Sequence, residues 1–166
     1  VVRPCASSSN AYSRNIADVS HMLSDGFVKQ IEQHLRSRMA EQQIKLPKTK
    51  SLHASGAQII NAAPHGKASQ YWHRDACYEA YTAIIPFCDL SKANGCTQIL
   101  PNSTRGPIGK RRRKQQDAVL AECQRGDVVV FDSRLIHRGL RNTTSRDRLV
   151  LALDFADEAH AFKITG

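Results

Sequence analysis

The stretch "YWHRDACYEAY" (71–81) sets a histidine and an aspartate two positions apart, at His73 and Asp75, with Arg74 between them. In an extended strand, side chains alternate between faces, so His73 and Asp75 would share one side and Arg74 would point away. A metal ion can bridge such a pair. A second segment, "GDVVVFDSRLIHRGLRNTTSRDRLVLALDF" (126–155), offers His137 at the end of one apolar run and Arg148 at the start of the next. His137 and Arg148 are equidistant from a turn at Asn142-Thr143, so the returning chain can bring them to similar height in the interior. Two imidazoles and one carboxylate occupy one triangular face of an octahedral Fe(II) and leave the opposite positions open. With neutral imidazoles such a site keeps a charge of about +1, which suits an anionic chelating co-substrate. A buried Arg148 would hold the far carboxylate of a dicarboxylate through a bidentate, charge-assisted pair.

These residues need a scaffold, and the rest of the chain predicts one. From Ser24-Asp25, a helix cap, Phe27, Ile31, Leu35 and Met39 repeat at every fourth position, which predicts one amphipathic helix over 24–44 with a basic outer face. After a linker marked by Pro47, short runs rich in Ile, Val, Thr and aromatics predict strands at 53–62, 70–75, 80–87, 95–100, 127–132, 134–138 and 147–155. One helix followed by many short strands argues for a β-sandwich or barrel with helical packing outside it. At 166 residues, the chain is expected to form a single domain over 1–166, with 3–15 as a loosely held lead-in.

Composition narrows the function classes. Twenty-four Lys and Arg against fifteen Asp and Glu give a net charge of +9, which favours anionic partners such as carboxylates, phosphates or coenzyme A esters. Five scattered cysteines (Cys5, Cys77, Cys88, Cys96 and Cys123) with no C-x-x-C pair predict neither a disulfide framework nor a zinc knuckle, and fit a reducing, intracellular and cytoplasmic setting. No apolar run reaches the roughly 20 residues of a membrane span, and 1–20 hold no signal-peptide core. The start at Val1 is compatible with a trimmed N-terminus, which leaves organellar targeting open. The basic run at 110–114 within "GKRRRKQQD" reads first as a solvated loop and second as a clamp for an acidic group. No aromatic residues interleave with it to stack bases, so nucleic acid ranks low as a partner. No specific protein partner is implied.

Alone, H-x-D is common and carries little. Together, "WHRD", "NGCTQILPNSTR" (94–105) and "GDVVVFDSRLIHRGLRNTTSRDR", in the order H-x-D, N-G-x-x-x-x-x-P, H-x10-R, resemble the phytanoyl-CoA dioxygenase-like family of Fe(II)- and 2-oxoglutarate-dependent oxygenases over about residues 55–155. The resemblance implies a double-stranded β-helix, a jelly-roll barrel that is mainly β with a flanking helix. It implies His73, Asp75 and His137 as iron ligands, and Arg148 as the anchor for the 5-carboxylate of 2-oxoglutarate, with O2 as co-substrate. The implied reaction is hydroxylation of a small molecule or acyl derivative, with release of succinate and CO2. Relatives that halogenate carry a small residue in place of the carboxylate ligand, so Asp75 favours hydroxylation. Asn61 and Gln58, on the strand before H-x-D, and Thr82, on the strand after it, are further candidates for 2-oxoglutarate contacts. Trp72, Tyr78 and Tyr81 flank the expected metal and are candidates to line a pocket for a small-molecule substrate, anionic if the chain's charge balance is a guide. "PNST" (101–104) stands where the family has P-G-S-H, a departure that bears on substrate choice.

Two other classes fit part of the pattern. A barrel that keeps the fold but acts as a binding or regulatory module would bind ligand without consuming co-substrate. A zinc hydrolase could use the same three ligands, although hydrolysis gives no reason for a dicarboxylate anchor at Arg148.

Overall fold

In the computed structural model, residues 14–41, 52–106 and 117–157 are described. The basic run at 110–114, the end of the predicted helix at 42–44, His160 and most of the lead-in lie outside them. Among the described residues there are eight strands, one α-helix and a short 3-10 turn at Ser20–Met22. Strands β1 (Arg14–Asp18), β2 (His53–Ala62), β3 (Ala80–Pro86), β6 (Val129–Asp132) and β8 (Arg148–Ala156) form one antiparallel sheet in the order β1-β2-β8-β3-β6. Strands β4 (Thr97–Ile99), β5 (Val119–Ala121) and β7 (His137–Gly139) form a smaller one in the order β5-β4-β7.

Between the two sheets lies an apolar core of Ile84, Leu90, Cys96, Phe131, Val150 and Ala152. A second core, on the outer face of the larger sheet, joins Val28 and Leu35 of α1 (Asp25–Glu41) to Ala57, Ala83, Leu151, Leu153 and Phe155. The central strand β8 is therefore covered on both faces, which explains why "RLVLALDFA" is apolar nearly throughout instead of alternating. Its two sets of side chains still separate by period. Leu151, Leu153 and Phe155 face the helix, while Arg148, Val150, Ala152 and Asp154 face the opposing sheet.

The helix begins as its sequence suggests, with the Phe27 amide donating to Ser24 Oγ at 3.3 Å. Its buried stripe is Val28, Leu35 and Met39 with Ile31 beside them, while Phe27 is 37% exposed. The sequence-based stripe thus begins one residue too early. Among the described residues, no helix is long and apolar enough to cross a membrane.

The predicted strand at 70–75 is not a strand. It is an irregular segment with a single antiparallel bridge between His73 and His137. Strand β1 begins at the end of the segment expected to be a loosely held lead-in, and neither it nor β5 was predicted. The link from β7 to β8 crosses between sheets, so His137 and Arg148 sit on opposing walls and not on a hairpin. Asn142 fixes this crossing from a buried position, its Nδ2 donating to the Ala62 and Arg146 carbonyls at 2.8 and 2.7 Å.

Candidate metal centre

The two histidines are brought together by their own backbones. The amide of His73 donates to the His137 carbonyl at 3.0 Å, and that of His137 donates to the His73 carbonyl at 2.9 Å. Their ring centroids are 4.4 Å apart. Asp75 is drawn in by its own amide, which donates to the Ser133 carbonyl at 3.0 Å, so the carboxylate meets both rings. His73 Nε2 lies 3.5 Å from Asp75 Oδ1, and His137 Nε2 lies 3.3 Å from Asp75 Oδ2. One ligating atom from each of the three residues falls within 4.8 Å of the other two.

The remote ring nitrogens decide the tautomers. His73 Nδ1 lies 2.8 Å from the Tyr71 carbonyl, and His137 Nδ1 lies 3.0 Å from the Leu135 carbonyl. A carbonyl only accepts, so each Nδ1 carries the hydrogen, and in the neutral ring the Nε2 lone pair faces the carboxylate. A ring held at Nδ1 by a carbonyl presents its Nε2 lone pair in a fixed direction, as a metal ligand requires. The donor set of two imidazole nitrogens and one carboxylate oxygen suits Fe(II) with open positions.

Electrostatics couple the three residues. Burial alone would keep His137 neutral, but the charge and hydrogen bond of Asp75, aided by the Leu135 carbonyl, hold its pKa above the ordinary 6.5. Burial alone would raise Asp75, yet His137, then His73 and Thr82, hold it below 3.8. A cation at this point would replace the proton in that role.

A cavity of about 490 Å³ opens beside the triad. His73, Asp75 and His137 line it together with Gln58, Ile60, Thr82, Ile84, Phe131 and Asp154. Gln58 and Thr82 therefore face the cavity, and Thr82 is also engaged with its neighbours. Its Oγ1 lies 3.2 Å from Asp75 Oδ2, 2.9 Å from Asp154 Oδ1 and 2.8 Å from Ser133 Oγ. A hydroxyl has one hydrogen, so Thr82 can donate to only one of the two carboxylates while Ser133 donates to it.

Four sequence-based assignments need correction. Asn61 is an odd number of residues from Gln58 on β2 and so points to the opposite face, where its Nδ2 donates to Asp147 at 2.8 Å. Tyr81 precedes the inward Thr82 and packs on the outer core near α1. Tyr78 packs against Ala76, Ala80 and Ala156 and does not line the cavity. Trp72 faces away from the triad, with the Arg138 guanidinium 4.5 Å from its ring centroid. Trp72 and Arg138 adjoin His73 and His137 in sequence, and neither lines the cavity.

Arg148 is 3% exposed on the inner face of β8. Its Nη2 donates to the Gly95 carbonyl at 3.0 Å, while its Nε is buried with no hydrogen-bond partner. Burial pushes its pKa down to about 10. It does not itself line the cavity, to which β8 contributes Ala152 and Asp154. An orphaned, buried guanidinium donor is the feature a carboxylate would satisfy.

Sequence reasoning missed Asp154. Burial, then the nearby Asp75 charge, push its pKa up to about 6. The signal was available, since Asp154 is six residues from Arg148 on one strand and so shares its inward face.

The family model for phytanoyl-CoA dioxygenase matches residues 6–150. The chain belongs to the phytanoyl-CoA dioxygenase family. Dioxygenase ALT11 of Alternaria alternata is 30% identical over 125 residues, covering 64% of this chain and 41% of the relative. The iron/alpha-ketoglutarate-dependent dioxygenase ausO of Aspergillus calidoustus is 27% identical over 117 residues, covering 58% of this chain and 39% of the relative. The chain thus spans about two-fifths of the length of these curated relatives. Among solved structures, EvdO2 of Micromonospora carbonacea var. aurantiaca, complexed with 2-oxoglutarate, aligns with a TM-score of 0.63 at 21% identity, covering 90% of this chain and 71% of that one. EvdMO1 aligns with a TM-score of 0.67 at 18% identity, covering 93% and 38%. These likenesses establish the fold, a phytanoyl-CoA dioxygenase-type jelly roll with one flanking helix.

Proposed function

We propose that this chain is the oxygenase domain of an Fe(II)- and 2-oxoglutarate-dependent dioxygenase that hydroxylates a small molecule or acyl derivative. In the balanced reaction, a substrate C–H bond, O2 and 2-oxoglutarate yield a C–OH group, succinate and CO2, with one oxygen atom entering each organic product. The observation that carries this reading is the convergence of two Nε2 lone pairs and a carboxylate, each imidazole tied at Nδ1 to a backbone carbonyl. The family match and the iron/alpha-ketoglutarate dependence of the relative ausO support the choice of metal and co-substrate.

Iron held by His73, Asp75 and His137 would supply O2 activation and the one-electron chemistry that no side chain offers. The protein's own residues do the rest. The Tyr71 and Leu135 carbonyls hold the Nδ1 protons and so keep both rings aimed. Arg148 binds the distal carboxylate of 2-oxoglutarate, and Gln58 supplies an amide on the cavity wall. Ile60, Ile84 and Phe131 form an apolar wall that excludes water around the reacting bond. The four described cysteines are free, in keeping with a reducing, intracellular compartment.

Anaerobic reconstitution with Fe(II), followed by 2-oxoglutarate and O2, is expected to produce succinate. His73→Ala, Asp75→Ala and His137→Ala should each abolish succinate formation and iron binding, whereas Arg148→Leu should retain iron and raise the KM for 2-oxoglutarate by about 30-fold or more. Iron-independent cleavage of an ester in the presence of zinc, with 2-oxoglutarate intact, would favour the hydrolase instead. Ligand binding without turnover in the iron-loaded protein would favour the binding module.

A further inference from the structure

The cavity walls do not share the positive charge of the chain as a whole. Asp154 lines the cavity beside the triad, and Asp18 lines its β1 edge. Among the described residues lining it, Arg74 is the one Lys or Arg, and its Nε and Nη2 donate to the carbonyls of Arg134, Ser103 and Gly106 at 2.7, 2.6 and 2.9 Å. The guanidinium is therefore committed to main chain. Asp154 Oδ1 lies 2.9 Å from Thr82 Oγ1, whose single hydrogen it shares with Asp75, and Asp154 forms no salt bridge with a described residue.

Space is kept open around its other oxygen. On the paired strand β2, Gly56 faces Asp154, and a Cβ at position 56 would fall 3.0 Å from Asp154 Oδ2. The strand also shifts register between Ala54 and Gly56 at this point. A half-buried carboxylate with no ionic partner is costly until a ligand supplies a donor.

Charge balance in the loaded site isolates Asp154 further. Two positive charges from the metal and one from Arg148 are offset by Asp75 and a dianionic co-substrate. Of the lining side chains outside that balance, Asp18 and Asp154 are negative and Arg74 is positive, so the wall keeps one more negative than positive charge, and Asp154 is the carboxylate beside the triad.

We propose that Asp154 is the specificity-determining residue of this cavity, selecting a substrate group that donates hydrogen bonds, a protonated amine or a hydroxyl, over a carboxylate or phosphate. The inference rests on the oxygenase reading above, because the charge balance includes the metal and 2-oxoglutarate. It reverses, for this wall, the anionic substrate that the overall charge of +9 suggested.

Cyclohexylamine, cyclohexanol and cyclohexanecarboxylate match one another in shape and differ in this one group. Their dissociation constants are measured by ligand-observed NMR on the protein loaded anaerobically with Fe(II) and 2-oxoglutarate, with iron and co-substrate binding determined in the same samples. The wild type should bind the amine, the alcohol or both at least about tenfold more tightly than the carboxylate. The arms identify which donor is preferred. Asp154→Asn retains an acceptor for Thr82 and should erase an amine preference while leaving the alcohol within about threefold, and Asp154→Lys should invert the order in favour of the carboxylate. A merely structural role for Asp154 would weaken all three probes alike. Equal or undetectable binding of the three probes to loaded wild type, or an order unchanged in both variants, overturns the inference and leaves the oxygenase reading intact. Failure of the wild type to bind iron overturns that reading, and the inference with it.

Discussion

At the scale of single residues, the proton and the metal compete for the same nitrogen. His137 has a folded pKa above 6.5, so in the metal-free protein its imidazolium–Asp75 pair contributes stability that is complete below pH 6.5 and lost as pH rises through the raised value. Asp75, held below 3.8, adds a contribution present above that pH and lost as pH falls through its lowered value. Metal binding must displace the His137 proton, so its affinity weakens as pH falls through the raised pKa, by about tenfold per unit for one proton. The difference in Tm between metal-loaded and metal-free protein should therefore widen from about pH 5.5 to about pH 8, as read by calorimetry. A pH-independent gap would show that His137 is not a ligand. The types and spacing of His73, Asp75, His137 and Arg148 were legible because chemistry restricts which side chains can serve. The residues around them were less so. Choosing both Asn61 and Gln58 overlooked the two-residue period, since positions three apart on a strand cannot both face inward.

At the scale of elements, the turn at Asn94-Gly95 ties folding to Arg148, the proposed co-substrate anchor. Gly95 adopts φ +89°, and a Cβ there would lie 2.3 Å from the Leu140 carbonyl oxygen. Its carbonyl is also the acceptor that holds Arg148. Gly95→Ala should destabilise the protein by at least about 1–3 kcal/mol in denaturant unfolding, and should raise the 2-oxoglutarate dissociation constant as well. Loss of stability with unchanged 2-oxoglutarate affinity would separate the turn from the anchor. Long strands with their own apolar signal were legible, β2 to the residue and β8 within one. Strand β1 was not, because its order comes from pairing with β2 some 40 residues later, Asp18 against Gln58. The segment carrying His73 and Asp75 was misread for a related reason. Its extension is imposed by main-chain bonds to His137 and Ser133, with no ladder on either side.

At the scale of the whole molecule, the larger sheet separates two jobs. Its outer face meets α1 and its inner face meets the metal centre. Leu35, 3% exposed in the outer core, should cost about 2–5 kcal/mol when replaced by Ala, while iron affinity in the folded variant stays within about twofold because no partner is shared. A large loss of iron affinity, measured by competition with a chelator, would show that the helix shapes the centre through the sheet. The two-layer architecture was readable from one amphipathic helix and many short strands. The sign of charge inside the cavity was not, because net charge counts surface lysines and arginines with no regard to where each side chain faces. The two rings are set side by side by bonds of their main chains, which no side-chain replacement short of proline removes, so either imidazole can be exchanged for another group while the other keeps its place.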